Sequence, residues 1–206
     1  TATAASAMEL GAFTPFLWLM KVRDWIWDIL EKETGARLTH SFGRIGGVAA
    51  PPTETFTQDV LDVLPEVERV LRETEHLLLR NRIFLDRTQG VGKLSKERAL
   101  AYGVTGPMLR STGVDYDVRK AHPYLVYDRF EFEIPIGHDG DNYDRFLVRL
   151  EETRQSCAIL GQATAQMPRE GPVSIDDPRY MFPEKRGVYT TIEDTKVSVF
   201  CGDCEQ

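Results

Sequence analysis

The first hydrophobic pattern in the chain is helical. From Ser6 to Thr34, apolar residues recur at intervals of three, four and five positions, as they do on one face of an α-helix. Further apolar residues widen this face, so we expect a helix that is buried on most sides. Pro15 predicts a kink in this helix, because proline removes one backbone hydrogen bond, and Gly35 predicts its end. The apolar positions of the segment are Leu10, Phe13, Leu17, Trp18, Met20, Trp25, Trp27, Ile29 and Leu30.

Two further long helices are predicted, one over 54–80 and one over 141–167. Thr55 and Gln58 have the spacing of a capping box at the start of the first of them. Pro65 lies inside the same pattern, which predicts either a kinked helix or two helices of which Pro65 opens the second. In the other helix, Asp141 and Arg145 have the spacing of an ion pair. The predicted core stripes are Val60, Leu64, Val67, Leu71, Thr74 and Leu78 in the one helix, and Tyr143, Phe146, Leu150, Cys157 and Leu160 in the other.

The segment at about 81–138 has a mixed pattern. Ile83–Leu85 is compatible with a short strand, and Ser95 is placed to cap a short helix over 96–102. Apolar and charged residues alternate over 129–134, which predicts a strand with one buried face. The segment is therefore predicted as a β/loop insertion.

These elements predict a mainly α fold class. Residues 1–167 are predicted to form a helical core that carries the β/loop insertion. Residues 168–206 begin with a proline-rich stretch and then lose any periodic pattern, which predicts an extended arm and an irregular tail.

Composition indicates a globular protein. The chain has 206 residues, of which 42% are hydrophobic, so it can bury a core without disulfides or metals. Its 25 basic and 32 acidic residues give a net charge of −7, which argues against nucleic acid as a partner because no general basic field attracts phosphates. Three cysteines are an odd number, which argues against a disulfide framework.

The first 20 residues carry a single charge, Glu9. A membrane-spanning helix needs about 20 mostly apolar residues, whereas Gly11, Pro15 and several small polar residues interrupt this stretch. We therefore expect a largely buried helix rather than a membrane span. The chain has no initial Met and no cap before the apolar pattern begins. This predicts that the sequence starts inside a helix and is a piece of a longer protein.

Two short motifs have the residue types of metal sites. Cys201 and Cys204 have the spacing of half a zinc site or of a redox pair, and an incidental tail is the alternative because no second cysteine pair exists. The stretch from His138 to Asp144 is acidic like a calcium loop. Counted from Asp139, however, the twelfth position is Leu150 where such a loop needs an acid. Acidic residues at the start of a helix are the alternative interpretation.

Two glycine pairs, Gly46-Gly47 and Gly90-Val-Gly92, superficially resemble phosphate-binding loops. Neither pair lies between a clear strand and a helix, and neither is followed by Lys and Ser or Thr. Both pairs are therefore predicted to be turns.

Glu9 has two interpretations. A lone carboxylate in an apolar helix is typical of sites that handle protons, whereas a Glu that faces the surface has no such role. Arg44 poses the same choice between structure and site. A charged cluster poses this choice as well, and we favour a structural ion-pair network for it. The cluster consists of Arg110, Asp115, Asp117, Arg119 and Lys120.

A series of motifs in one order resembles a known family. The motifs are Met8-Glu-Leu-Gly-Ala-Phe-Thr-Pro-Phe16, Thr34-Gly-Ala-Arg-Leu-Thr-His40, Arg44-Ile-Gly-Gly-Val48, Asn81-Arg-Ile-Phe84, Gly90-Val-Gly92, Leu109-Arg110, Gly113-Val-Asp-Tyr-Asp-Val-Arg-Lys120, Pro123-Tyr124, Gly140-Asp-Asn-Tyr-Asp-Arg145 and Arg154-Gln-Ser156. Together, over about 5–195, they resemble the family of the D-type subunit of NADH:quinone oxidoreductase, respiratory complex I. This family includes the mitochondrial core subunit at the quinone site. The order and number of the motifs make the resemblance specific.

The resemblance implies a fold and an assembly. The fold would be the long-helix bundle of a nickel-iron hydrogenase large subunit that has lost its metal, incomplete here at both ends. The partners would be peripheral-arm subunits, especially the B-type subunit that carries the terminal iron-sulfur cluster and the C-type subunit, and the membrane-arm subunit at the quinone entrance. A quinone headgroup would bind between subunits, and NADH would be used by another subunit. No cofactor is expected on this chain alone.

The resemblance also assigns roles to three residues. Glu9 stands where the family usually has an Asp of the proton relay beside the quinone. His40 lies in the segment where some relatives have a histidine near the cluster. Arg44 matches the arginine of the Arg-Ile-Gly-Gly motif, although the three residues before it depart from the family pattern. The upstream Gly-Pro-Gln-His-Pro loop of the family, which contacts the quinone, has no counterpart in this sequence.

The function implied is that of a fragment of a core subunit that helps to form the quinone-reduction site and the proton relay. The isolated chain is expected to be inactive. The alternative is a catalytically silent docking or assembly module of the same complex. The location implied is peripheral, on the cytoplasmic face of a bacterial plasma membrane or the matrix face of the mitochondrial inner membrane.

Overall fold

The structure of the chain is a computed structural model that describes residues 1–168 and 170–175. It divides into two compact units. The first consists of 1–38 and 53–167, and the second contains 39–52 with the described residues after 167. Most of the predicted arm and tail over 168–206 lies outside the described residues.

The described part of the first unit is built almost entirely from helices, as the patterns predict. Its elements are α1 (Ala2–Glu9), α2 (Phe13–Thr34), α3 (Phe56–Leu78), α4 (Arg82–Thr88), α5 (Lys96–Ala101), α6 (Gly106–Arg110), α7 (Val118–Ala121), a 3-10 turn (Tyr127–Arg129) and α8 (Asn142–Gln166). The fold class is therefore mainly α.

The predicted single helix from Ser6 to Thr34 is in fact two helices. Gly11 has a φ of 87° and ends α1, with the Ala12 N–H donating to the Ala7 carbonyl at 2.9 Å and the Gly11 N–H to that of Met8 at 2.9 Å. These two bonds form a Schellman motif. The kink predicted at Pro15 is wrong, because Pro15 occupies the first turn of α2, where a missing N–H costs no helical hydrogen bond. Gly35 ends α2 in a left-handed conformation, as predicted.

The core of the first unit lies among α1, α2, α3 and α8. The predicted stripes of α3 and α8 supply most of its buried side chains, and α4 adds an aromatic ring in edge-to-face contact with Phe146, at 4.9 Å between ring centroids. Apolar burial of this kind is the main stabilising contribution to the fold. The buried core residues are Ala7, Val22, Val67, Val70, Leu71, Leu78, Phe84, Phe146 and Leu150.

Helix α3 is a single helix with Pro65 in its interior. The predicted capping box at its start is not formed. Thr55 donates its hydroxyl hydrogen to Asp59 at 3.0 Å, and the Gln58 side chain donates to Asp62 at 2.6 Å. Carboxylates four residues further along the helix therefore bind both side chains that were expected to cap it.

Arg154 of α8 connects this helix to α3. Its guanidinium contacts Glu75 at 2.5 Å and Glu68 at 3.4 Å, both on α3, and Glu151 at 3.2 Å on its own helix. The hydrogen bond that Arg154 donates to Glu75 raises the pKa of Arg154 above its ordinary value, so the guanidinium stays charged.

The predicted β/loop insertion contains short helices and loops in place of strands. Ile83–Leu85 is part of α4, because Asn81 caps this helix by accepting from the N–H groups of Ile83 at 2.9 Å and Phe84 at 3.3 Å. The predicted capping of α5 by Ser95 is confirmed, with the Arg98 N–H donating to its hydroxyl at 3.3 Å.

The strand predicted over 129–134 is not formed, although its alternation is real. Phe132 is buried while Glu131 and Glu133 are exposed. The backbone of this segment bonds to side chains of α8, since the Glu131 N–H donates to Gln162 at 2.9 Å and the Glu133 N–H to Gln155 at 3.0 Å. Glutamine amides therefore take the place of a neighbouring strand.

Side chains at the start of α8 bind two glycine loops, one at Gly90–Gly92 and one at Gly140. Asp141 caps the helix by accepting from the Asp144 N–H at 2.9 Å and also accepts from the Gly90 N–H at 2.7 Å. Arg145 donates to the carbonyl groups of Gly92 at 2.6 Å and Gly140 at 2.8 Å. Arg145 also donates to the Asn142 side chain at 2.7 Å, so the side chains of Asp141 and Arg145 do not pair with each other. The stretch that resembles a calcium loop is a helix start with acids that cap it.

The second unit contains a small hairpin of β1 (Gly43–Arg44) and β2 (Gly47–Val48), which pair antiparallel. The segment 173–175 joins it, with the Val48 N–H donating to Val173 at 2.9 Å and the Ile175 N–H to Gly46 at 2.9 Å. Gly46 therefore lies in the turn of the hairpin, as predicted, whereas Gly47 is the first residue of β2.

Candidate functional site

An open groove lies beside the last turn of α1. Its volume is about 480 Å³, within the range of pockets that bind small ligands. Glu9, the last residue of α1, lines the groove, and its side chain is exposed in this chain rather than enclosed by the helix bundle. We call this cavity the Glu9 groove. Its lining consists of Thr3, Ala5, Ser6, Glu9, Leu10, Phe84, Arg87, Thr88, Met108, Asn142, Arg145, Phe146 and Arg149.

The Glu9 groove carries a positive charge. Three arginines line it, Arg87 from α4 with Arg145 and Arg149 from α8, against the one carboxylate of Glu9. Arg145 is held in place by the two glycine loops, whereas Arg87 and Arg149 form no ion pair within the described residues. The groove therefore presents two guanidinium groups that are free to bind an anionic group.

The floor of the Glu9 groove is apolar. Leu10, Phe84 and Phe146 belong to or pack against the core, and Met108 is 39% exposed at the groove. Charges beside apolar walls interact more strongly than charges in open water, because the local dielectric constant is lower. The groove is thus suited to a ligand that has both an anionic and an apolar part.

The charged cluster around Arg110 is a structural network. Arg110, which is 8% exposed, donates through Nε to Glu152 of α8 at 2.8 Å and through a terminal nitrogen to the Tyr116 carbonyl at 3.1 Å. Asp117 binds Arg119 at 2.6 Å, and this hydrogen bond holds the pKa of Asp117 below its ordinary value. The ion-pair interpretation therefore agrees with the geometry of Arg110, Asp117 and Arg119, whereas Asp115 and Lys120 form no ion pair within the described residues.

His40 and Arg44 lie in the second unit. Both side chains are exposed, and Arg44 is part of β1. Neither side chain makes a hydrogen bond or an ion pair to the residues that the structure describes. Their N–H groups are therefore free to donate to a partner or a ligand. The three site residues taken from the resemblance divide between the two units, with Glu9 in the first.

Sequence reasoning missed the arginines of the Glu9 groove. The ion pair predicted between Asp141 and Arg145 is wrong, because both side chains bind backbone groups. One signal was available in the sequence: Arg145 and Arg149 are four residues apart, which puts them on the same face of a helix. The position of Arg87 beside them depends on how α4 packs against α8.

The described residues contain no group of three or more side chains arranged to hold a metal ion. Cys157 is a free, half-buried thiol, and burial raises its pKa, which makes it a poor nucleophile at neutral pH. Cys201 and Cys204 lie outside the described residues. Likewise, none of the helices between Ala2 and Gln166 is long and apolar enough to cross a membrane.

Comparison with known proteins adds a family match. The family model described as the 49 Kd subunit of respiratory-chain NADH dehydrogenase matches residues 9–201. The chain is 60% identical over 193 residues to a D-type subunit of NADH-quinone oxidoreductase from Sorangium cellulosum, a match that covers 94% of this chain and 48% of the relative.

Two other relatives give the same result. The D-type subunit of NADH-quinone oxidoreductase from Myxococcus xanthus is 52% identical over 94% of this chain and 46% of its own length. A D-type subunit from Anaeromyxobacter dehalogenans is 51% identical over 94% of this chain and 45% of its own length. The chain thus spans about half the length of the curated relatives that it matches.

Proposed function

The chain belongs to the family of the 49 kDa subunit of respiratory-chain NADH dehydrogenase, and we propose that it is part of a core peripheral-arm subunit of a proton-pumping NADH:quinone oxidoreductase. The observation that carries the proposal is the match over residues 9–201, with 60% identity to one D-type subunit. For the fold we propose the helix bundle of a nickel-iron hydrogenase large subunit. This proposed fold is supported by the single hydrophobic core that α1, α2, α3 and α8 form together.

The cofactors and partners follow from the same proposal. The terminal iron-sulfur cluster belongs to a B-type partner, a C-type subunit lies nearby, and another subunit uses NADH. A membrane-arm subunit meets this assembly at the quinone entrance. The quinone binds at a site that this chain shares with its partners, and the chain is peripheral to the membrane on its cytoplasmic or matrix face.

Reduction of a quinone to a quinol takes up two electrons and two protons. In the proposed mechanism Glu9 is part of the relay that moves protons beside this reaction. The resemblance of the motif from Met8 to Phe16 to the family supports this role, and in this chain Glu9 lines a groove and has no ion-pair partner within the described residues. His40 and Arg44 are proposed to act as donors, because their exposed N–H groups can bind a quinone oxygen or the partner that carries the cluster.

The test is Glu9→Gln in a full-length subunit that contains this chain. The amide cannot carry a proton, so NADH:quinone turnover is expected to fall at least tenfold while the complex assembles normally. The matched control is Glu54→Gln, at an exposed glutamate in the loop before α3. NADH oxidation with an artificial acceptor that bypasses quinone should stay unchanged in both variants. Normal quinone turnover in Glu9→Gln contradicts the relay role.

A docking module of the same complex is a second candidate. It is favoured by the large apolar side chains that the first unit exposes, among them Leu125 at 86%, Ile83 at 63% and Phe13 at 57%. As a docking module the chain would assemble with its partners without contributing to turnover. Self-association of the isolated chain in light scattering is expected on this basis, and a monodisperse monomer would count against it.

A further inference from the structure

We propose that the Glu9 groove is a docking site for an acidic side chain of a partner subunit, carried on a segment with apolar residues beside it. The inference rests on the proposed function, because it needs the chain to be a subunit of an assembly. It goes beyond the proposed role of Glu9, because it assigns a binding role to the arginines and the apolar residues of the groove.

Charge complementarity is the first argument. The groove has three guanidinium groups and one carboxylate, a net charge of +2, on a chain whose net charge is −7. Arg145 and Arg149 repel each other across one turn of α8, and a carboxylate between them removes this cost. Because guanidinium binds carboxylate through two parallel hydrogen bonds, an Asp or Glu side chain is well suited to the site.

Buried and half-buried arginines outside the groove have partners within this chain, and Arg23 among them stacks on Trp27. The buried or half-buried Arg110, Arg119 and Arg154 each bind a carboxylate of this chain. Arg149 is half-buried as well, yet no carboxylate of the described residues pairs with it. A second chain that brings a carboxylate would give Arg149 the kind of pairing that this chain supplies to Arg110, Arg119 and Arg154.

The apolar surface beside the charges favours a polypeptide over a bare anion. A second cavity of about 120 Å³ shares Leu10 and Phe84 with the groove and extends to Ile83, which is 63% exposed. Apolar surface therefore continues from the arginines to the turn between α1 and α2. A segment with an acidic residue and apolar neighbours would cover both parts, and arginine beside apolar surface is typical of interface hot spots.

The test is a photo-cross-link from the groove in the assembled complex. A photoreactive p-benzoylphenylalanine replaces Met108, which lines the groove, in a full-length subunit that contains this chain. Mass spectrometry of the purified complex is expected to find it joined to a peptide of another subunit that contains Asp or Glu. The cross-link yield should fall at least tenfold in the double variant Arg87→Glu with Arg149→Glu.

Two further variants make the result specific. Arg98→Glu reverses an exposed charge on α5, outside the groove, and should leave the yield unchanged. Arg149→Gln removes one charge without reversing it and should lower the yield by a smaller factor. Replacement of the partner's acidic residue by Arg should restore the yield in Arg149→Glu, because the two charges are exchanged.

Several outcomes overturn the inference. These are a cross-link only to lipid, a cross-linked peptide without an acidic residue, no cross-link at all, or a yield that charge reversal leaves unchanged. If the full-length protein is present in the complex and one of these is found, the docking site is wrong and the proposed function stands. If the wild-type protein fails to purify with the complex, the proposed function fails first.

Discussion

Gln162 of α8 binds the backbone of Glu131 with both ends of its amide. Its Oε1 accepts from the Glu131 N–H at 2.9 Å, and its Nε2 donates to the Glu131 carbonyl at 2.7 Å. A neighbouring strand would make the same pair of bonds in a β-ladder. The side chain of a helix thus fixes the segment that positions Phe132.

Gln162→Ala should loosen this segment while α8 stays intact. The variant removes two hydrogen bonds at an exposed position, so the free energy of unfolding should fall by about 1 kcal/mol. Hydrogen exchange of the Glu131 amide should accelerate several-fold, because this N–H loses its acceptor. The control is Gln166→Ala, at the exposed last residue of α8. Equal exchange rates in the two variants would contradict the role of Gln162.

Gly47→Ala should detach the segment 173–175 from the hairpin. A Cβ at position 47 would overlap the Val173 carbonyl and lie 2.7 Å from the Ser174 Cα, and both obstacles are backbone. The Val48 amide, which donates to Val173, should then exchange at least tenfold faster. Gly43→Ala in the same hairpin is the control, because a Cβ there meets no atom within 4 Å. Protection of the Val48 amide in Gly47→Ala would show that the backbone can shift to make room.

Arg110→Met should destabilise the first unit strongly. Met keeps much of the side-chain volume but leaves Glu152 without its cation and removes one of the two cations beside the buried Asp117, which keeps Arg119. Breaking a buried pair from one side costs about 3–5 kcal/mol. Arg69→Met removes an exposed arginine with two glutamate partners, which should cost much less because solvent screens both pairs. Urea unfolding of both variants measures the loss of unfolding free energy. Similar losses in the two variants would contradict the claim that burial makes the Arg110 pairs more important.

Asp117 should make stability depend on pH in the acid range. Arg119 holds the pKa of Asp117 below its ordinary value of 3.8 in the folded chain. Above pH 3.8 the carboxylate is ionised in both the folded and the unfolded state, so its stabilisation is complete. As the pH falls below 3.8 the unfolded state takes up the proton first, and the stabilisation is lost.

The check is urea unfolding at a series of pH values below about 5. Asp117→Asn should be less stable than the wild type at neutral pH, and the difference should shrink as the pH falls. Asp86→Asn, at an exposed carboxylate on α4, controls for the loss of a surface charge. If the stability difference between Asp117→Asn and the wild type does not change with pH, the lowered pKa of Asp117 is contradicted.

The long helices could be predicted because their signals are local. The apolar stripe of α3 recurs at helical spacing, and Val67, Leu71 and Leu78 are buried as expected. The end of α2 at Gly35 could also be predicted, since glycine readily adopts the left-handed conformation that ends a helix. Gly11 carries the same signal, but the apolar pattern that continues past it favoured a single helix.

The short elements were harder to predict because their signals are weak or depend on distant residues. Asn81 decides the helical state of Ile83–Leu85 through one cap, which competes with the strand preference of the apolar side chains there. The alternation over 129–134 correctly predicted that Phe132 is buried, whereas Phe130 and Ile134 on the same predicted face are only half-buried. It could not reveal that the hydrogen-bond partners are glutamines on α8, 22 and 31 residues further along the chain.

The sequence by itself determined the mainly helical fold class, the core stripes and the family, because residue spacing and ordered motifs are properties of the chain alone. It also singled out Glu9. Only the tertiary structure decided that this carboxylate is exposed in a groove with three arginines. The physical reason is that Arg87, Arg145 and Arg149 come from two helices, and the packing of α4 and α1 against α8, driven by apolar burial, brings their charges to the same side of Glu9.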